Sequence, residues 1–354
     1  MQAVLPKRAV LIGAGMVAGT HINACAAAAK TVRLVGIVAQ NAANAKTLAT
    51  EVSHKFTTPL KAYDTVGAVA ADPDVEFAII ATPPNARANV IAPLVAAGKH
   101  ILLEKPMGRN GDEARAVVAL CAKAGVTLGV VLQHRMRAAS QKAAAFVASG
   151  RLGALGLVEI AVPWWREQAY YEAPGRGTYA RDGGGVLISQ AIHTLDLALS
   201  LAGPVAGPVC SVRAMATTTR FHVMEAEDFV VAGLRFANGA AGSLFASTAS
   251  YPGGAESIIL HFERASLRLQ SGELHISWRD GRTEQFGANA TTGGGADPMA
   301  FTHDWHQAII EDFAQALALG RAPAITGQDA LAAHDLIDAI SRAAATGAEQ
   351  ELAA

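Results

Sequence analysis

Cysteine is scarce in this chain: three in 354 residues, Cys25, Cys121 and Cys210, with no Cys-x-x-Cys spacing. That scatter excludes a disulfide framework and fits buried thiols in a reducing cytoplasm. Charge is sparse too, 17% of residues against the usual ~25%. Neither sign dominates, since 29 Lys plus Arg stand against 30 Asp plus Glu. Without a cationic surplus the chain lacks the electrostatic footprint of a nucleic-acid binder. Long apolar runs are missing as well. Residues Ala9–Ala29 carry no formal charge, yet Gly13, Gly15, Gly19, His21 and Asn23 interrupt them. A strand, a turn and a helix explain that stretch better than a signal peptide or a membrane span. No targeting or transmembrane segment is expected, and the location expected is cytoplasmic. What is abundant is apolar material, 51% of the chain, much of it alanine. This excludes disorder and suffices for two buried cores.

Residues 1–133 alternate short apolar runs with Ala-rich stretches. Val10–Ile12, Leu34–Val38, Phe77–Ile80, His100–Leu103 and Leu128–Leu132 read as buried parallel strands. Helices are expected near 16–29, 42–52, 63–71, 86–97 and 111–124, with Pro83-Pro84-Asn85, Gly98 and Gly125 at the joins. This alternation predicts a doubly wound parallel sheet, a Rossmann-like half, over 1–133. From 134 to 354 the rhythm changes. A helix near 139–149 leads to an aromatic stretch, a glycine run and an apolar helix from about 186 to 201. Between about 207 and 279 strand signals follow one another without helices, and two helices near 303–319 and 328–346 close the chain. The glycine-rich tract 293–295 reads as a loop. The expectation for this half is an α+β domain with a mainly antiparallel sheet.

Gly13-Ala14-Gly15-Met16-Val17-Ala18 reads Gly-x-Gly-x-x-Ala, directly after a strand and opening a helix. The first Gly permits the tight turn, the second lets a pyrophosphate approach the backbone, and the small third residue lets helix and strand pack closely. Gly13, Gly15, Met16 and Val17 are therefore cofactor-binding candidates. NAD-specific folds place a carboxylate at the end of the second strand to hold the ribose hydroxyls. Here that strand ends Val38-Ala39-Gln40-Asn41, and no acid occurs between Thr31 and Thr50. NAD(H) and NADP(H) both stay open, with a slight lean to NADP(H), to whose 2′-phosphate Gln40 and Asn41 could donate hydrogen bonds. Glu104-Lys105-Pro106 closes the fifth strand, at the sheet edge where doubly wound folds bind ligands, and Lys105 can present a cation there.

With these features the chain resembles the Gfo/Idh/MocA family, named for glucose–fructose oxidoreductase and inositol dehydrogenase. The resemblance spans nearly the whole chain. It rests on Gly-x-Gly-x-x-Ala at 13–18, Ala81-Thr82-Pro83-Pro84-Asn85, Gly98-Lys99-His100, Glu104-Lys105-Pro106, Gly183-Gly184-Gly185-x-Leu187 and His193-x-x-Asp196. It implies a dinucleotide-binding Rossmann domain over 1–133, an α+β domain over 134–354 whose large, open, mainly antiparallel sheet serves substrate binding and oligomerisation, and hydride transfer on sugar-like substrates. It also implies cofactor contacts at Thr82, Pro83, Asn85, Glu104 and Lys105, a substrate-holding Lys105 and a catalytic His193. The chemistry agrees: oxidising a secondary alcohol needs a base for the hydroxyl proton and a cation for the developing alkoxide. Many members carry Asp four residues before the histidine, where this chain has Ser189, then Gln190. Serine can bind a hydroxyl but not act as an acid, so a histidine-only proton route is favoured unless Asp196 orients the imidazole. Arg87 also departs, standing where many members have histidine.

Pro163-Trp164-Trp165-Arg166, Tyr170-Tyr171 and Gly175-Arg176-Gly177-Thr178 gather aromatic rings and guanidinium groups ahead of the glycine run. Rings can stack on a sugar's C–H face while arginine reads a carboxylate or phosphate; a subunit or domain contact would explain the same cluster. The substrate-binding set expected is Lys105, Arg135, Trp164, Arg166, Ser189, Gln190 and His193, with Lys105, His193 and Ser189 catalytic. Arg135 lines the cleft or closes the domain hinge. No cluster has metal-ligand spacing along the sequence, so no metal is expected. The reading is an NAD(P)-dependent dehydrogenase or reductase acting on CH–OH groups of a sugar, polyol or cyclic hydroxy compound. The alternatives are a dinucleotide-dependent glycosidase using transient redox and a non-catalytic dinucleotide-binding regulator. A homodimer or homotetramer through the C-terminal sheet is implied by the family, with no nucleic-acid or membrane partner.

Overall fold

A computed structural model describes residues 5–289 and 301–352. The chain divides into two compact units. The first takes the chain through Gly108, Asp112–Gln133 and Thr302–Leu331; the second takes Arg109–Gly111, the stretch from His134, and the chain from Ala332 onward.

In the first unit β1 (Lys7–Ile12), α1 (Ala18–Ala27), β2 (Val32–Val38), α2 (Ala42–Val52), β3 (Lys61–Tyr63), α3 (Val66–Ala71), β4 (Phe77–Ile80), α4 (Arg87–Ala96), β5 (His100–Glu104), α5 (Gly111–Lys123) and β6 (Leu128–Val131) alternate as expected. The strands are parallel, in the order β3-β2-β1-β4-β5-β6. Every residue of β4 is buried, which is why parallel strands read as unbroken apolar runs. The three-residue β3 was not expected: an edge strand this short leaves no periodicity to detect.

The second unit runs through α6 (Ala138–Ala148), β7 (Leu155–Pro163), the one-turn α7 (Gln168–Tyr171), α8 (Ile192–Ala206), β8 (Val209–Thr217), β9 (Phe229–Phe236), β10 (Ala241–Ser247), β11 (Ser257–Phe262), β12 (Ala265–Gln270), β13 (Glu273–Trp278) and β14 (Thr283–Gly287). Beyond the tract 293–295, which lies outside the described residues, come α9 (Asp304–Leu319), α10 (Gly327–Thr346) and β15 (Gln350–Glu351). The nine-stranded sheet has the order β14-β13-β12-β11-β7-β10-β9-β8-β15. All its pairs are antiparallel except β7 with β10. Burial alternates strictly along β11 and β12, the mark of a sheet with one covered face. Helices α6 and α8 cover that face.

Two expectations need adjusting. The sheet's central strand, β7, precedes the 207–279 region in which strands were sought. The domain assignment 134–354 also takes in Thr302–Leu331, which belongs to the first unit. The physical reason is packing. Helix α9 lies against α1, and the Phe313 ring packs against Phe77 at 5.3 Å with 58° between their planes. At Gly129 an added Cβ would stand 2.6 Å from the Phe313 ring, so that glycine is the socket for it.

Candidate active site

The turn after β1 is shaped by glycine. Gly13 has φ +117°, and a Cβ there would approach the Ala81 carbonyl oxygen to 2.7 Å. Gly15 differs, because an added Cβ would meet nothing within 4 Å. Helix α1 opens with no side-chain cap and no acidic residue in its first turn; the Ala18 N–H is taken by the Gly15 carbonyl at 3.0 Å, but no side chain stands between this helix end and an anion. Ala18, the third position of the motif, is buried. The backbone around Gly13, Gly15, Met16 and Val17 thus fits a dinucleotide pyrophosphate. Past β2, Gln40 and Asn41 are exposed. Asn41 caps α2, its Oδ1 accepting from the Ala43 N–H at 2.7 Å.

Thr82, Pro83 and Asn85 follow β4 in a tight turn over Pro84–Ala86. Arg87 is buried beneath it, donating from Nε to the Thr82 carbonyl at 3.1 Å and from Nη2 to the Lys105 carbonyl at 3.3 Å. It straps together the loops after β4 and β5; burial lowers its pKa to about 10, against a smaller upward pull from Glu104.

Glu104 has a different setting from the cofactor contact expected. Its carboxylate is buried, with Oε1 2.8 Å from His21 Nε2 on α1 and 3.6 Å from His306 Nε2 on α9, while Oε2 accepts from the Lys105 N–H at 3.2 Å. Burial alone would raise this carboxyl, but the two imidazoles outweigh it and hold it well below its usual range. His306 is lowered, chiefly by burial. These three offer ligand atoms within 4.8 Å of one another. The 2.8 Å separation is that of an N–H···O hydrogen bond, so we describe a proton-linked anchor under the Lys105 turn. Sequence reasoning missed it because its members lie in three distant segments.

In the second unit the glycine run is a close-packed corner. A Cβ on Gly183 would stand 2.3 Å from the Arg109 carbonyl oxygen, and one on Gly185 would run into the Glu227 backbone. The Glu227 carboxylate accepts from the N–H groups of Gly185 and Leu187 at 3.0 and 3.2 Å; burial raises its pKa. From there Leu187–Ala191 winds as a π-helical turn into α8. Ser189 lies within that turn, so it and His193, four residues apart, are not joined by a regular α-helical turn. Such turns recur at functional sites.

His193 opens α8, buried, and its ring stacks on His134 at 4.8 Å with 24° between planes. Asp196 takes Arg135 in a two-point ion pair at 2.5 and 2.7 Å. Gln190 is buried and donates to the Tyr170 hydroxyl at 3.3 Å. Trp164 and Arg166 are also buried, and the Arg166 guanidinium lies over the Trp164 and Tyr170 rings at 5.2 and 5.8 Å. They build the wall behind Tyr170, which remains half-buried. Arg176, over the other reach of Tyr170 at 4.9 Å, joins the cluster.

Residues 7–132 match the oxidoreductase family with an NAD-binding Rossmann fold, and residues 140–268 match the GFO/IDH/MocA C-terminal domain. The chain belongs to the Gfo/Idh/MocA oxidoreductase family. Rhizopine catabolism protein MocA of Rhizobium meliloti is 29% identical over 52% of this chain and 54% of its own length. Levoglucosan dehydrogenase of Pseudarthrobacter phenanthrenivorans is 26% identical over 64% of each. The matches thus span about half to two thirds of these curated relatives. Among solved structures, the WlbA dehydrogenase of Bordetella pertussis in complex with NADH and UDP-GlcNAcA is 28% identical, with a TM-score of 0.82 over 99% of both chains. No helix among the described residues is long and apolar enough to cross a membrane.

Proposed function

We propose that the protein is an NAD(P)-dependent oxidoreductase interconverting a secondary alcohol and a ketone on a sugar, polyol or cyclic hydroxy compound. The observation that carries this reading is the turn at 13–18, where glycine geometry and an uncapped α1 make an anion cradle. A dinucleotide held by the turn at 13–18 would supply the hydride acceptor or donor for the carbinol carbon. His193 takes the hydroxyl proton in oxidation and gives it back in reduction, a task suited to an imidazole's titration range. The Lys105 ammonium stabilises negative charge developing on the same oxygen. Ser189, uncharged, holds a substrate hydroxyl. Gln190 and the Tyr170 face read the remainder of the ring, with Trp164 and Arg166 holding Tyr170 in place. Arg135 acts through its pair with Asp196.

A sugar substrate is supported by the relatives, one named a levoglucosan dehydrogenase and another captured with UDP-GlcNAcA. The missing carboxylate after β2 keeps the slight lean to NADP(H), although WlbA was captured with NADH. A cytoplasmic setting suits the thiols: burial pushes Cys25 up to about 12 and Cys121 to about 11, leaving them unreactive. The uncovered face of the nine-stranded sheet is our choice for a homodimer or homotetramer contact.

The test is a spectrophotometric screen of sugars, polyols and nucleotide sugars with both oxidised cofactors. Appearance of reduced nicotinamide with one substrate class is expected. Sugar release with no net nicotinamide change would favour the glycosidase reading. Dinucleotide binding without either activity would favour a regulator, and failure to bind NAD(H) or NADP(H) would refute the proposal.

A further inference from the structure

We propose that His134 is a positioning residue for His193, kept as an uncharged stacking platform by the buried Arg137–Glu256 pair. The inference rests on His193 acting as the base, and it deepens that reading. The short turn Gln133–Met136 presents His134 to α8 and Arg137 to the start of α6. His134, Arg137, His193 and Glu256 are all buried. Arg137 Nη2 lies 2.6 Å from His134 Nε2, and Arg137 Nη1 donates to Glu256 Oε1 at 2.7 Å. Guanidinium has donors only and stays charged. The contact at 2.6 Å therefore requires a lone pair on His134 Nε2, which places the ring hydrogen on Nδ1. A second proton would set two positive groups against each other at hydrogen-bond distance. Glu256 balances the charge of Arg137, so the buried pair as a whole is neutral.

This matters because of what His193 must do. On taking the substrate proton it becomes an imidazolium, 4.8 Å from the His134 ring and nearly parallel to it. A neutral ring face attracts that cation, whereas a protonated one would repel it. Asp196, three residues along α8, is itself paired with Arg135. The stack also fixes the plane of the His193 ring, and a misplaced catalytic group can cost about a hundredfold in rate.

Two measurements test this. The first is nitrogen-15 NMR of the histidine rings of the full chain across neutral pH. His134 is expected as the neutral Nδ1–H form with no titration between about pH 5.5 and 8. In the variant Arg137→Met/Glu256→Leu, which replaces the buried ion pair by uncharged apolar groups, His134 is expected to titrate. A titrating His134 in the unmodified protein, or one carrying hydrogen on Nε2, would overturn the inference. The second is kinetic, on the substrate identified by the screen. His134→Ala is expected to lower kcat about ten- to a hundredfold with KM for the cofactor little changed. His134→Phe, flat and uncharged, should restore most of that rate with an unaltered pH profile. An alanine variant with unchanged kcat and pH profile sinks the positioning role. If His193→Asn keeps its turnover, the base assignment itself fails, whatever His134 does.

Discussion

The two glycines of the cofactor turn make opposite demands, and exchanging each for alanine separates folding from binding. At Gly13 the backbone sits at φ +117°, and the new methyl would lie 2.7 Å from the Ala81 carbonyl oxygen and 2.8 Å from its carbon. Strain of that kind costs about 1–3 kcal/mol, and overpacking against an immobile backbone about another 1–3 kcal/mol. Gly13→Ala should thus lose about 2–6 kcal/mol of stability. At Gly15 the methyl meets nothing within 4 Å and the φ is not positive, so stability should stay within about 0.5 kcal/mol. What Gly15→Ala removes is room for a pyrophosphate. Losing one charge-assisted hydrogen bond costs about 1.5–3 kcal/mol, or about a ten- to hundredfold rise in Kd for NADH or NADPH. Urea denaturation and titration of reduced-nicotinamide fluorescence measure the two effects independently. A Gly15→Ala protein that binds both reduced cofactors like the unmodified chain would refute the cradle.

Other predictions follow from the same geometry. His193→Asn should lower kcat by about 10²–10⁴ while leaving the cofactor Kd unchanged in the fluorescence titration; near-full turnover would remove it as the base. Gly129→Ala forces a methyl to within 2.6 Å of the Phe313 ring and should cost about 1–3 kcal/mol by urea denaturation, partly recovered by Phe313→Leu; strictly additive losses would count against that socket. Glu104 and His306 are both held below their ordinary pKa values, so the unfolded chain binds protons at these positions more readily than the folded one. Their contribution is complete above the ordinary histidine range and drains as acid is added, first through His306 and then through Glu104. The urea midpoint should fall from about pH 7.5 to about pH 4, and less steeply in Glu104→Gln; a slope unchanged in that variant would argue against the anchor.

The first unit was readable because its signals are local. Gly13 and Gly15 declare the turn, and four-residue apolar runs such as Phe77–Ile80 declare buried strands. Lys61–Tyr63 was too short to show a period. The strand Leu155–Pro163 was missed because strands were sought only where they followed one another, and its neighbours in the sheet come from far along the chain. Lys105 and His193 came from motifs, but burial decides roles that motifs cannot. Arg87, Glu104 and Arg166 are single charged residues in the sequence, and only the structure shows what each binds inside its own unit. The stacked histidines and the imidazole–carboxylate trio depend on distances between remote residues, which no periodicity encodes.

Helix α9 has a consequence for the order of synthesis. It brings Phe313 onto Phe77 and His306 beside Glu104, but it leaves the ribosome only after the whole nine-stranded sheet except its last strand, β15. Until then the nascent Rossmann unit has an apolar face and a buried-type carboxylate open to water, the kind of surface on which chaperones act. Of the two units, the one whose synthesis starts earlier is therefore completed only near the end, and a ribosome stalled ahead of α9 would display an unfinished Rossmann unit to the cell.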